Sequence, residues 1–197
     1  LLNILTAVFI WPPLGFLVGY LFMQATLYLF RGATPKINTL FKRMQILTSL
    51  SLALSHGTND AQKTMGLITL GLVTAGYQET FHVPLWVIAV SASAIALGTA
   101  LGGWRLISTL GGRIYKIRPV HAFTSQAASA GVIFAAALLL GPVSTTQVVG
   151  SAIMGAGAAE RVNKVHWQVG QHMLTTWLIT IPANLAMGAL LYALLEV

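Results

Sequence analysis

Two short stretches of this chain concentrate residue types that bind ions. The first, Ser55-His56-Gly57-Thr58-Asn59-Asp60, sets six small or polar residues inside the apolar region 44–76. The second, Gly141-Pro142-Val143-Ser144-Thr145-Thr146, interrupts the apolar region 120–159. Both predict a helix start, because Thr, Asn and Asp are preferred N-capping types and Pro suits a first helical turn. A helix N-terminus offers unpaired backbone N–H groups and a positive dipole end, which together attract anions. Two such ends bearing short hydroxyl and amide side chains are expected to hold an oxyanion between them. Asp60 repels an anion, so its expected role is to bind a coupling cation close by, with Asn59 offering a second oxygen.

Each motif also has a plain structural reading. Hydroxyls in membrane helices often bond back to the preceding turn, and a Gly-Thr-Asn-Asp turn can cap a helix outside the bilayer. The pairing of two breaks, with an acidic residue in apolar surroundings, favours a site. Lys63 lies three residues after Asp60 on the same helix face, placed either to neutralise it or to snorkel to an interface. His56 is a candidate proton shuttle, or a hydrogen-bonded bundle residue. Gln126 and Gln147 are polar residues in apolar segments, able to bridge helices or line a path. His82, His121, His166 and His172 lie near predicted segment ends without metal-ligand spacing, and no catalytic constellation occurs, so an enzyme is not expected.

The elements that must position these residues follow from composition. Hydrophobic residues make up 56% of the chain and charged ones 8%, against about 25% charged in soluble domains; the solvent that suits such a sequence is lipid. The excess of 11 Lys+Arg over 4 Asp+Glu falls mainly at the ends of apolar segments. It follows the positive-inside bias and does not indicate nucleic acid. Loops 31–43, 105–118 and 161–166 are therefore assigned to the cytoplasm and 77–83 to the outside. A span is expected over about Pro13–Phe30, with Leu1–Ile10 ending a preceding helix. Region 44–76 should cross an odd number of times and 120–159 an even number. Further spans are expected at 84–101 and from near His172 to Leu195, the last kinked at Pro182. Small residues within the spans favour close helix packing. The fold expected is all-α, a polytopic membrane helix bundle with two broken or re-entrant helices. Cysteine is absent, which removes disulfide and thiol chemistry. The opening at Leu1, without Met or a charged n-region, reads as a chain cut in the middle.

The two breaks carry a resemblance. Ser55-His-Gly-Thr-Asn-Asp-Ala-Gln-Lys-Thr-Met-Gly66 resembles the signature of the inorganic phosphate transporter (PiT, or PHO4) family, and Pro142-Val-Ser-Thr-Thr146 resembles its second signature. Gly102-Gly-Trp-Arg105 is similar to a family stretch lying between them. The resemblance implies sodium- or proton-coupled symport of phosphate by two inverted repeats with the substrate at their interface. It implies that Asn59, Asp60, Ser144, Thr145 and Thr146 bind phosphate, and that Asn59, Asp60 and Gln126 handle the cation, with sodium a candidate metal at Asp60. His56, Lys63 and Gln147 are accessory. No cofactor beyond the coupling ion is implied. The chain is similar to the C-terminal repeat, so residues 1–197 form a single transmembrane domain whose N-terminal repeat, or a second chain, is the expected partner. A homo-oligomer in a bacterial inner membrane is also expected. Gln126 replaces a usual Glu and Gln147 a common His, each change removing an ionisable group. Two alternatives accompany this reading: a carrier of another oxyanion such as sulfate, and a non-transporting membrane subunit or sensor with the same fold.

Overall fold

Four helices are long and apolar enough to cross a membrane: Phe9–Leu29, Leu85–Trp104, Pro119–Leu138 and Trp167–Leu194. They belong to a computed structural model that describes residues 2–139 and 143–195. In chain order the helices are α1 (Leu2–Leu29), α2 (Ile37–Thr74), α3 (Leu85–Ser108), α4 (Pro119–Leu138), α5 (Thr145–Glu160) and α6 (Trp167–Leu195). A π-helical turn, Thr109–Arg113, follows α3, and a short 3-10 turn, Val162–Lys164, precedes α6. No strand occurs among the described residues. The expectation of an all-helical membrane bundle holds.

The helix boundaries differ from expectation in three places. Helix α1 runs without interruption through Pro12 and Pro13, where a preceding helix was expected to end. Two missing N–H donors leave two carbonyls of the previous turn unpaired, yet bundle packing sustains such helices in lipid. Here the packing lies just beyond the prolines, where α1 meets α5. Helix α2 is likewise unbroken over 38 residues, so the helix start expected at residues 55–60 does not exist. The Thr58 hydroxyl donates to Leu54 O at 2.8 Å and to Ser55 O at 3.2 Å, satisfying itself on the helix already running. Asn59 and Asp60 direct their side chains toward α5 instead of capping their own segment. Helix α6, finally, begins at Trp167 and continues through Pro182.

The second break is real. Helix α4 ends at Leu138 and α5 begins at Thr145, so the pair forms a helical hairpin; Gly141 and Pro142, called as part of that break, lie outside the described residues. At 1.5 Å per residue the 16 residues of α5 extend about 24 Å, less than the roughly 30 Å hydrocarbon core.

Helix α5 is the centre of the bundle and is buried from Val148 to Ala159, Val149 only partly. Small residues allow its neighbours in. A Cβ on Gly155 would stand 2.1 Å from Phe16 O, and one on Gly19 would stand 2.5 Å from Ala152 O. Backbone therefore lies against backbone between α1 and α5, the close approach that small residues permit in membrane bundles. On another side, Phe41 of α2 stacks with Phe30 and Phe123 at centroid distances of 5.3 and 5.4 Å, joining α1, α2 and α4. Helices α3 and α6 keep most of their apolar side chains exposed, Leu101 at 86% and Leu185 at 71%.

Polar ties set the register. Gln45 Nε2 donates to Pro119 O at 2.8 Å, and the Thr48 hydroxyl donates to Gln126 Oε1 at 2.7 Å, both linking α2 to α4. At the C-terminal end of α5, Glu160 accepts from His121 Nε2 at 2.6 Å, from Lys164 at 2.8 Å, and from Arg118. His121 Nδ1 accepts the Arg118 backbone N–H at 3.0 Å, which leaves the proton on Nε2 to face the carboxylate. Burial alone would raise the Glu160 pKa, but the hydrogen bonds from Lys164 and His121, with the charge of Arg118, outweigh it and hold the carboxyl at about 2 against an ordinary 4.5.

Two predictions follow from these ties. Thr69 and Ser91, on α2 and α3, bury hydroxyls that have no hydrogen-bond partner among the described residues. Losing one partner of a made bond costs about 1–3 kcal/mol, whereas removing an unpaired buried hydroxyl is neutral or favourable. Thr48→Val should therefore lower the thermal midpoint of the detergent-solubilised protein, and Thr69→Val should leave it unchanged or raise it. Equal shifts in the two variants would contradict the assignment. The depressed Glu160 pKa contributes stability above its unfolded value of about 4.5, and this is lost as pH falls toward 2. A pH series of thermal midpoints should show a decline below about pH 4.5 that is shallower in Glu160→Gln.

Candidate functional site

The middle of α2 and the N-terminus of α5 meet at Asp60. Because α2 is helical here, His56, Asn59, Asp60 and Lys63 fall within two turns, with His56 four residues before Asp60 and Lys63 three after. Each carboxylate oxygen of Asp60 has two partners. Oδ1 accepts from Asn59 Nδ2 at 2.9 Å and from Lys63 Nζ at 3.4 Å. Oδ2 accepts from the Thr145 hydroxyl at 3.3 Å and lies 3.2 Å from His56 Nδ1. His56 Nδ1 also lies 2.9 Å from Thr145 Oγ1. One assignment satisfies all three atoms: Nδ1 carries the proton, and the Thr145 hydroxyl donates to Asp60. Asn59 is buried, 4% exposed, while the Asp60 side chain is 33% exposed.

The structure supplies a partner that side-chain reasoning missed, the backbone carbonyl of Val143. It accepts from Asn59 Nδ2 at 3.3 Å and from Lys63 Nζ. A carbonyl carries no sequence signal of its own; the only hint was its place beside Pro142 in the interrupted region. These contacts fasten the segment entering α5 to the polar centre of α2.

The three hydroxyl residues diverge, as neighbours about 100° apart on a helix must. Ser144 is the N-cap residue in extended conformation, with φ −90° and ψ 109°, and its exposed side chain makes no capping bond. The first α5 ladder bond runs from Val148 N to Ser144 O at 3.1 Å, so the N–H groups of the preceding turn receive no cap from Ser144. Thr145 is buried against α2 and Gln147 is buried within the bundle. Thr146 turns to the opposite side, where it lines a cavity with Arg113 and His172.

Gln126 does not join the group at Asp60. It is bonded to Thr48, which precedes Asp60 by 12 residues on α2, about 18 Å along the axis. A cation touching Asp60 is out of reach of Gln126 in this arrangement. Asn59, Asp60, His56, Lys63 and Thr145 are thus brought together; Ser144 and Thr146 flank them, and Gln126 and Gln147 stand apart. Among the described residues no cluster of three His, Asp or Glu side chains has metal-ligand placement.

Comparison with known proteins assigns the chain to a family. The model of the phosphate transporter family PHO4 matches residues 30–188. A probable low-affinity inorganic phosphate transporter of Bacillus subtilis (strain 168) is 40% identical over 197 residues, which cover 99% of this chain and 59% of the relative. A protein of the same description from Rhizobium meliloti (strain 1021) is 40% identical over 194 residues, covering 98% of this chain and 58% of the relative. The chain therefore spans less than three fifths of the length of these relatives. A solved structure described as the sodium-dependent phosphate transporter superposes with a TM-score of 0.65 at 30% identity, covering 74% of this chain and 37% of that one. Matched by that family model over residues 30–188 and built on helices long and apolar enough to cross a membrane, the chain is a multi-pass membrane protein and belongs to the phosphate transporter family, whose members are described as transporters and not as enzymes.

Proposed function

We propose that this chain forms one repeat, the C-terminal one, of a cation-coupled carrier of inorganic phosphate, with sodium or a proton as the coupling ion. The observation that carries the reading is the contact at 3.3 Å between Asp60 and Thr145, on the first turn of a helix whose N-cap side chain makes no capping bond. That turn favours negative charge, and Asp60 already supplies some. A phosphate arriving beside Asp60 is opposed by its charge. At about 4 Å and an effective dielectric constant near 20, two unit charges interact by about 4 kcal/mol, worth roughly a thousandfold in affinity. A cation or proton on Asp60 removes that opposition. Cation and anion then bind better together than apart, which is the thermodynamic content of coupling.

Asn59, Asp60 and Thr145 are the residues assigned to phosphate and cation in this proposal, with Ser144 at the mouth; Thr146 faces the cavity on a different side of α5 and does not join them. Lys63 balances the charge of Asp60 when the cation is absent, and His56 lies within hydrogen-bond reach of its other oxygen. Sodium requires oxygen ligands, so Lys63 must withdraw from Oδ1 when it binds, and the Val143 carbonyl offers Lys63 a second partner. Gln126 acts at a distance, through Thr48 and the α2–α4 register. The exposed apolar faces of α3 and α6 suit a second repeat of opposite orientation, which would complete the site from the far side. The solved transporter, longer than this chain and described as sodium-dependent, supports the cation-coupled reading.

Asp60→Asn in the full-length protein should abolish the dependence of phosphate uptake on sodium or proton gradients while leaving membrane insertion intact. Unchanged ion dependence in that variant would sink the assignment. Thr145→Val should weaken the apparent phosphate affinity about tenfold or more, since a hydrogen bond to a charged group contributes about 1.5–3 kcal/mol. Competition between labelled phosphate and unlabelled sulfate in the same assay identifies the oxyanion. Normal affinity in the Thr145→Val variant would mean that the Thr145 hydroxyl is structural.

A further inference from the structure

On the side of α5 turned away from Asp60, a cavity of about 490 Å³ opens between the π-helical turn, the first turns of α5, and α6. Its charged and titratable lining is basic, Arg113 and His172, and no carboxylate lines it. Hydroxyls reach it from three elements, Thr109, Thr146 and Thr176. The remaining wall includes Leu110, Met173 and Trp177. None of the ion pairs among the described residues involves Arg113.

Three features show that the cavity is built. Gly150, one turn after Thr146, lies under α6: a Cβ there would stand 2.4 Å from Met173 Cε and 3.7 Å from both Leu110 Cδ2 and Trp177 Cζ2. The absence of a side chain at 150 brings the apolar wall over the start of α5. The turn Thr109–Arg113 is π-helical, a rare local form that recurs at functional sites, and both of its end residues line the space. Arg113 is also anchored, because His166 donates from its backbone N to Ile114 O at 2.9 Å and its ring Nδ1 lies 2.9 Å from Arg113 O. A guanidinium on that anchored backbone, lining one cavity with three hydroxyl residues, one of them on the first turn of α5, suits the shape and charge of a phosphate group.

We propose that this cavity is a second phosphate-group site, with Arg113 as its principal anchor and His172, Thr146 and Thr176 completing the polar side. Two sources carry that chemistry. Orthophosphate is one, held at Arg113 and separated from the Asp60 group by the first turn of α5. The headgroup of an anionic phospholipid is the other, with its chains along Leu110, Met173 and Trp177. The proposal shares only helix α5 with the carrier reading and stands on the cavity's own lining.

The test is equilibrium binding to the full-length protein in nanodiscs. Radiolabelled orthophosphate is titrated in phosphatidylcholine discs, and labelled phosphatidylglycerol is titrated by exchange into the same discs. The wild type is compared with Arg113→Gln, Arg113→Lys, His172→Gln and Asp60→Asn. Arg113→Gln is expected to weaken one of the two ligands at least tenfold, with His172→Gln weakening the same ligand less and Arg113→Lys restoring part of the loss. Loss confined to orthophosphate identifies a transport station; loss confined to phosphatidylglycerol identifies a lipid site. Unchanged binding of both ligands in Arg113→Gln and His172→Gln overturns the proposal. Asp60→Asn separates this inference from the carrier reading, since it is expected to lose ion-dependent uptake while keeping the Arg113-dependent binding. His172→Gln, on a different element, keeps the test decisive if the arginine variants fail to fold.

Discussion

Everything in this molecule is arranged around a short helix that no side chain separates from its neighbour. Gly19 and Gly155 bring α1 and α5 together backbone to backbone, and a single Cβ at either position would collide with the opposing chain. In lipid the hydrophobic effect does not drive helices together, so contact of this kind, with a few polar ties, is what holds the bundle. The position of the α5 N-terminus follows from it. Helix α5 has no freedom to slide outward, its far end is tied by Glu160, and its first turn therefore faces the middle of α2.

The polar centre of α2 tolerates its surroundings because its charges are answered locally. Asp60 is met on one oxygen by Asn59 and Lys63 and on the other by Thr145 and His56. An acidic residue in an apolar segment persists when it is paired or facing a cavity, and here it is both paired and one-third exposed. The electrostatics at the two ends of α5 differ in kind. Glu160 sits among three basic partners, whereas Asp60 meets one ammonium, an imidazole, an amide and a hydroxyl. The first arrangement fastens a helix; the second leaves its carboxylate one-third exposed.

Much of this was legible in the residues. The apolar composition and the basic clusters indicate a membrane bundle, and Pro142 with Ser144 and Thr145 marks a genuine helix start. The polar run from Ser55 to Asp60 was misread as a break because capping types favour helix starts only when the backbone needs them; Thr58 instead bonds back to a helix that never stops. Pro12-Pro13 misleads in the same way, since a bundle sustains a helix that would end in water. The grouping of Asn59, Asp60, Lys63 and the Ser-Thr-Thr run was visible from residue types, while its actual composition was not. Val143 contributes a carbonyl, Thr48 draws Gln126 away, and Thr146 faces a different space from Thr145. Those outcomes depend on helix rotation about α5, which spacing alone does not specify.

The continuity of α2 has a mechanical consequence. A rod that passes unbroken through its own polar centre has no hinge there, so Asp60 cannot be carried from one side of the membrane to the other by bending at Gly57. With Asp60 as fulcrum, the longer arm back to Ile37 measures about 35 Å and the shorter arm to Thr74 about 21 Å. A tilt of about 10° sweeps the two ends through roughly 6 and 4 Å in opposite directions while the carboxylate scarcely moves. Such a lever would leave the carboxylate in place and move the walls around it, so a tilt of α2 would open or close space at the tips of the helix and not at the charge itself.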